Sequence, residues 1–331
     1  MGHVTFLTLL AHSSHYTCIT DYLLGIVIAV HHNSMNMATV LCKSAPIAST
    51  AVNKNPALRL TMRPSEQRGI ANHGWLKTFH TFNFASYYDP DFGSFGPLRV
   101  INEDRVEANQ GFGTHPHQEF EIFSYIVKGE LEHRDSIGNV EIMKRGDLQM
   151  TSAGTGVRHS EYNKNTYKQV HFLQIWALPN ERRLKPAYYT RNVTDEEKKQ
   201  GLVKVVAPFG STEVSSQREA SGPAPVHADL HLYATVLPPR HVVTHKFQPS
   251  LQRDPDQKVS SARKAYVHVV QTSGFNTGSS FSAGTRIRVN DDLELGEGDG
   301  AFVVGGLPGQ TMDFENIGEK DAEFIVFDLG D

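Results

Sequence analysis

From Gly69 to Asp331, short apolar runs rich in Val, Ile, Phe and Tyr recur, and turn residues interrupt each one before it reaches helical length. The runs cover residues 98–101, 120–127, 140–143, 170–176, 230–237, 265–270 and 324–327, with Gly, Asp-Pro or Asn-containing turns between them. A chain cut up in this way buries its apolar surface as sheets, so the pattern predicts an all-β sandwich or barrel. One helix is predicted at 195–201 (DEEKKQG), where acids come first, lysines follow and Gly ends the run, as the helix dipole prefers. The polar stretch 210–225 reads as a linker or surface loop, and the boundary between two β domains is placed there. Residues 129–138 and Gly146-Asp147 find weak echoes in 274–284 and Gly298-Asp299, which suggests two copies of one fold.

The first 65 residues differ from the rest. From Tyr22 to Ser65 there is no acid, while Lys43, Lys54, Arg59 and Arg63 are basic. The apolar run 22–30 is nine residues long, under half of a membrane span, and no Lys or Arg precedes it. We read residues 1–65 as a poorly ordered extension, an over-long gene model, or a mitochondrial transit segment starting at Met35 or Met37. A chain beginning near Met62 is accordingly expected to keep its metal and its reaction. Without a transit role, the expected location is cytoplasm, nucleus or both.

The composition of the 331-residue chain excludes several classes of function. Both cysteines, Cys18 and Cys42, lie near the N-terminus, so a disulfide framework, a thiolate zinc cage and a cysteine nucleophile are ruled out beyond residue 42. A net charge of −4 without a Lys/Arg block argues against a nucleic-acid partner, and no run is long enough for a membrane. What remains is histidine, 17 of them, and their clustering.

Residues 111–121 read GFGTHPHQEFE and 152–161 read SAGTGVRHSE. On a strand, residues i and i+2 share a face, so His115 projects with His117, and His159 with Glu161. Two such pairs facing one another inside a barrel make a site of three imidazoles and a carboxylate. That donor set suits Fe(II), Mn, Ni, Cu or Zn. Four protein ligands on an octahedral ion leave two positions open, which is the form of a catalytic site.

These residues also carry a resemblance. HPHQEFEIFSYIVKGELEHRDSIGN (115–139) and RGDLQMTSAGTGVRHSE (145–161) closely resemble the pirin family of bicupins. Residues 68–106 resemble the N-terminal block of the pirins akin to bacterial quercetin 2,3-dioxygenase. The resemblance runs over roughly 68–331 and is diffuse in the second half. It implies a bicupin, two stacked jelly-roll β-barrels: an N-terminal metal-binding cupin at 66–210 and a metal-free C-terminal cupin at 211–331. It also implies one metal, usually iron, held by His115, His117, His159 and Glu161. Many relatives have Arg-Gly where this chain has Gln118-Glu119, which adds an acid beside the site.

Other residues receive readings too. Glu121 shares strand parity with His117 and is the rival carboxylate, or else an acceptor for a ligand imidazole. Parity also places Phe123, Tyr125 and Val127 inward, with Ile122 and Ile126 on the opposite face. His133 reads as solvated in a turn, and His80 either lines the cavity or makes a structural hydrogen bond. His245 and His268 lie in the second barrel, outside any His-x-His pair.

By resemblance, the leading function is an oxygenase that cleaves a flavonol or similar enolic aromatic with dioxygen. Glu161 would then be the catalytic residue, taking the substrate hydroxyl proton. The alternatives are a metal-dependent nuclear cofactor with a protein partner, and a cupin whose metal is purely structural.

Overall fold

The computed structural model describes residues 58–250, 262–282 and 284–330. The expectations for residues 1–57 lie outside the described residues. In chain order the first half runs β1 (Arg59–Arg63), β2 (Gly69–Asn72), β3 (Leu76–His80), β4 (Leu98–Val106), β5 (Gly111–His117) and β6 (Glu121–Lys128). It continues with β7 (Glu130–Asp135), β8 (Val140–Lys144), β9 (Asp147–Ser152), β10 (Val157–Tyr162), β11 (Val170–Ala177) and β12 (Ala187–Asn192), followed by α1 (Asp195–Gln200). The second half comprises β13 (Val203–Pro208), β14 (Ala224–Val226), β15 (Leu230–Leu237), β16 (Val242–Lys246) and β17 (Arg263–Val269). It closes with β18 (Arg286–Val289), β19 (Leu293–Gly296), β20 (Gly300–Gly306), β21 (Thr311–Asn316) and β22 (Ala322–Leu329).

These strands build two barrels of one plan. The first pairs a seven-stranded sheet, β12-β9-β6-β11-β4-β3-β2, with a four-stranded sheet, β5-β10-β7-β8. The second pairs β1-β20-β17-β22-β15-β13-β14 with β16-β21-β18-β19. The central strands β9-β6-β11-β4 and β20-β17-β22-β15 and the two four-stranded sheets correspond in order, which is the duplication that the sequence only echoed. The outer strands differ: β2 and β3 pair antiparallel where β13 and β14 pair parallel. Gly146-Asp147 and Gly298-Asp299 do lead into equivalent strands, β9 and β20. The fold is a bicupin.

The barrels stack through their large sheets. Phe123, Tyr125, Val127, Leu173 and Ile175 of the first form one buried apolar cluster with Leu230, Leu232, Ile325, Phe327 and Leu329 of the second. At its centre lies a charge. Glu103, fully buried on β4, accepts hydrogen bonds from His171 Nε2 (3.0 Å), Gln271 N (2.7 Å) and Arg68 (3.2 Å), with His268 Nε2 at 3.2 Å. One carboxylate thereby pins β4, β11 and the segment before β2 to β17 and the turn after it.

Helix α1 matches expectation. Thr194 and Glu197 form a reciprocal capping box that satisfies two otherwise orphaned N–H groups.

The domain limits need correction. Arg59–Arg63, assigned to the extension, is the edge strand β1 of the second barrel, pairing with β20. Met62 therefore lies inside a strand, and a chain starting there would lose half of it. Likewise β13, which precedes residue 210, belongs to the second large sheet, so the sheets divide before Val203. The Ser/Gly/Pro-rich stretch is a surface excursion between β13 and β14, polar because it meets solvent rather than because a domain ends there.

Removing residues up to Arg63 should uncover the edge of β20 and strip Leu60 and Met62 from the second core. It also deletes the buried Arg63, whose guanidinium donates to Tyr87 (2.8 Å) and Gln67 O (2.9 Å) and lies 3.6 Å above the ring of Phe92. A loss of about 2 kcal/mol in apolar burial alone would lower Tm by about 4–8 °C. A chain beginning at Leu58 and one beginning at Pro64, melted side by side, check this; equal Tm values would show that β1 contributes nothing.

Candidate metal centre

His115 and His117 stand on β5, the edge strand of the small sheet, with Pro116 between them. An edge tolerates proline because one side of the strand needs no ladder N–H. β10 lies between β5 and β7 and sets His159 opposite both His115 and Asp135. One residue pair further along, Gly113 and Thr114 of β5 stand opposite the single Ser160, a bulge that puts Phe112 rather than Gly113 across from Glu161. Gly111 is required here, since a Cβ at that position would sit 2.3 Å from Glu161 O.

Three imidazoles meet as a result. The ring centres of His115, His117 and His159 lie 4.6–4.8 Å apart, and their ligand atoms all fall within 4.8 Å of one another. His115 Nδ1 bonds to Gly113 O at 2.7 Å, so it carries the proton and Nε2 keeps the lone pair. That Nε2 faces His159 Nε2 at 3.0 Å. Burial, reinforced by the neighbouring histidines, lowers His117 to about 4 and His159 to about 3, leaving both neutral near pH 7 with lone pairs to offer.

Glu161 lies deeper, in an overlapping group with His159 and His133. Its carboxylate accepts from Ser124 Oγ (2.9 Å) and Gln174 Nε2 (2.8 Å), and it is 1% exposed. Among the described residues no Lys, Arg or His forms an ion pair with it. A buried carboxylate lacking a cation, beside neutral imidazoles whose lone pairs converge, fits a divalent first-row metal. Both such groups among the described residues lie in the first barrel. In the second, Val267, Val289, Met312, Phe314 and Phe324 pack as an apolar core.

Several expectations change. Glu119, at φ +66°, turns the chain between β5 and β6 and breaks the parity that carried Glu121 inward. Glu121 consequently faces the second barrel, accepting from Ser152 Oγ at 2.5 Å with His227 Nδ1 at 3.8 Å, and it is not a rival ligand. For the same reason Phe123, Tyr125 and Val127 face the inter-barrel core, while Ile122 and Ile126 pack in clusters within the first barrel. His133 is not solvated: β7 extends through it and buries it completely. His80 makes the structural hydrogen bond, to Asn102 at 2.8 Å. His245 bonds to Asp328 (3.0 Å), and His268 belongs to the Glu103 junction. The acid added by Glu119 is turned to the rim, where it accepts from Arg183 N at 3.0 Å.

Sequence reading missed Ser124, Gln174 and Trp176, whose ring lies 4.9 Å from that of His117. For the first two a signal existed: each is a polar residue flanked on both sides by apolar ones within a strand. A cleft of about 610 Å³ opens beside the histidines, bordered by His117, Gln118, Ser136 and Arg158.

Comparison with known proteins places this geometry. The family model described as Pirin matches residues 61–177. A quercetin 2,3-dioxygenase of Escherichia coli K12 is 38% identical over 268 residues, spanning 81% of this chain and 97% of that protein. The chain belongs to the pirin family. Its Escherichia coli O157:H7 counterpart is 35% identical over the same shares. Among solved structures, YhhW from Escherichia coli is 34% identical with a TM-score of 0.66, covering 82% of this pirin and 98% of that chain. A structure of the same bacterial pirin in complex with nickel(II) matches with a TM-score of 0.65 at 34% identity, covering 82% and 99% of the respective chains. No described helix is long and apolar enough to cross a membrane.

Proposed function

We propose that this pirin is a metal-dependent oxygenase that opens the ring of a flavonol or similar enolic aromatic with dioxygen. Its ion, on this reading, is iron, held by His115, His117, His159 and Glu161. The observation that carries the reading is the convergence of three lone-pair-bearing imidazoles beside a buried carboxylate with no protein cation to balance it. The names of the relatives, quercetin 2,3-dioxygenase and a nickel-bound pirin, support the chemical class. When bound, the ion supplies Lewis acidity and the redox chemistry of dioxygen.

The residues do the remainder. Glu161 is the base for the substrate hydroxyl, held in place by Ser124 and Gln174. Trp176 and the imidazoles wall the site with rings, and Gln118, Ser136 and Arg158 offer polar partners for phenolic hydroxyls in the cleft. Oxygen uptake with quercetin, by protein of known metal content and beside His159→Ala, tests the proposal. Uptake proportional to metal and absent in the variant is expected; none by fully loaded wild type would overturn it.

Glu161→Gln is the sharper change, since it keeps the size and a donor oxygen but removes the charge and the base. Folding should persist, metal should bind more weakly, and turnover per bound metal should fall about 100-fold or more. Full occupancy with wild-type turnover would remove Glu161 from the chemistry.

A further inference from the structure

We infer that His133, His159 and Glu161 form a second, inner cation position, which overlaps the outer histidine triad through His159. The inference rests on the metal-binding part of the proposed function and not on the oxygenase part. All three side chains are buried, at 0%, 1% and 1% exposure, and their ligand atoms lie within 4.8 Å of one another.

The protonation pattern of His133 suits a ligand. Its Nε2 lies 3.3 Å from Asp135 Oδ2, a carboxylate held in turn by Asn139 and the N–H of Ile137. Donation to Asp135 leaves the lone pair on Nδ1, and a carboxylate behind an imidazole orients it and raises its basicity toward a metal. That Nδ1 is buried without a hydrogen-bond partner, as is His159 Nδ1. Buried nitrogens rarely stay unpartnered, because the lost solvation is not repaid. Tyr188, its ring 4.9 Å from that of His133, holds the imidazole from the other side. Each oxygen of Glu161 accepts one hydrogen bond and keeps a second lone pair for a cation.

Two nitrogens and a carboxylate oxygen suit a small divalent first-row ion. His115 and His117 are half-buried and His117 borders the cleft, so the outer set is where an ion enters, and Glu161 serves both positions. Because Glu161 as well as His159 serves both positions, one ion at a time is held.

Cobalt(II) titration of the full chain, read by visible absorption and calorimetry, tests this. Wild type should take one equivalent. The double variant His115→Ala/His117→Ala should still take one equivalent, more weakly and with a shifted visible band. Adding His133→Ala should abolish that residual binding. His133→Phe, which keeps the ring and its packing on Tyr188, gives the same readout should the alanine variant fail to fold, and circular dichroism reports folding in each. Two equivalents in wild type, no saturable binding in the double variant, or binding that survives loss of His133 would overturn the inner position. A wild type that takes up no cobalt would overturn the metal reading with it, so the two failures are distinguishable.

Discussion

Alanine at His115 or His117 should strip most of the metal from the purified protein and abolish oxygen uptake, while the β fold stays intact. Each substitution removes one donor from a three-imidazole cluster whose members are otherwise bound to little else. Both side chains are half-exposed, so truncation opens space to water rather than a void in the core. The apolar clusters between the barrels and inside each of them do not include either residue. Folding therefore does not wait on the ion, in contrast to a small zinc domain. Elemental analysis after gel filtration, an oxygen electrode and far-UV circular dichroism together check the three parts. Unfolded variants would instead make the metal a structural component.

The second large effect lies far from the cleft. Glu103→Ala leaves Arg68 and Arg105 buried beside an absent partner and should cost about 3–5 kcal/mol. For a chain of this size that is roughly 2–4 °C of Tm per kcal/mol. Burial pushes the Glu103 carboxyl up, but hydrogen bonds from His171 and His268 and the charge of Arg68 outweigh it and hold the group well below the usual range. Its contribution is then fully present above the unfolded carboxylate value and is lost as pH falls toward the folded one. The Tm gap between wild type and Glu103→Gln should consequently be widest near neutrality and narrow in acid. Melting curves across pH check this, and coincident curves at neutral pH would mean that the junction stands without the charge.

Much of the site was legible in local pattern. His-Pro-His and His-Ser-Glu are period-two signals, and each pair does sit on one strand. Ser/Gly/Pro composition, by contrast, misplaced the domain boundary, because a long surface loop and an interdomain linker ask the same of a sequence: contact with solvent.

Strand periodicity alone determined that this chain is all-β, and residue spacing alone determined which histidines could share a face. Only the tertiary structure decided how those faces meet. One residue at positive φ, Glu119, reversed the parity of β6 and sent Glu121 to the inter-barrel junction. One extra residue on β5 set Phe112 rather than Gly113 across from Glu161, and the register of β7 on the other side placed Glu161 beside His133. β1 crosses to the far barrel through pairing with β20, more than two hundred residues away in sequence. Bulges and left-handed turns each shift side-chain direction by a single residue, and a pattern of period two carries no record of such a shift.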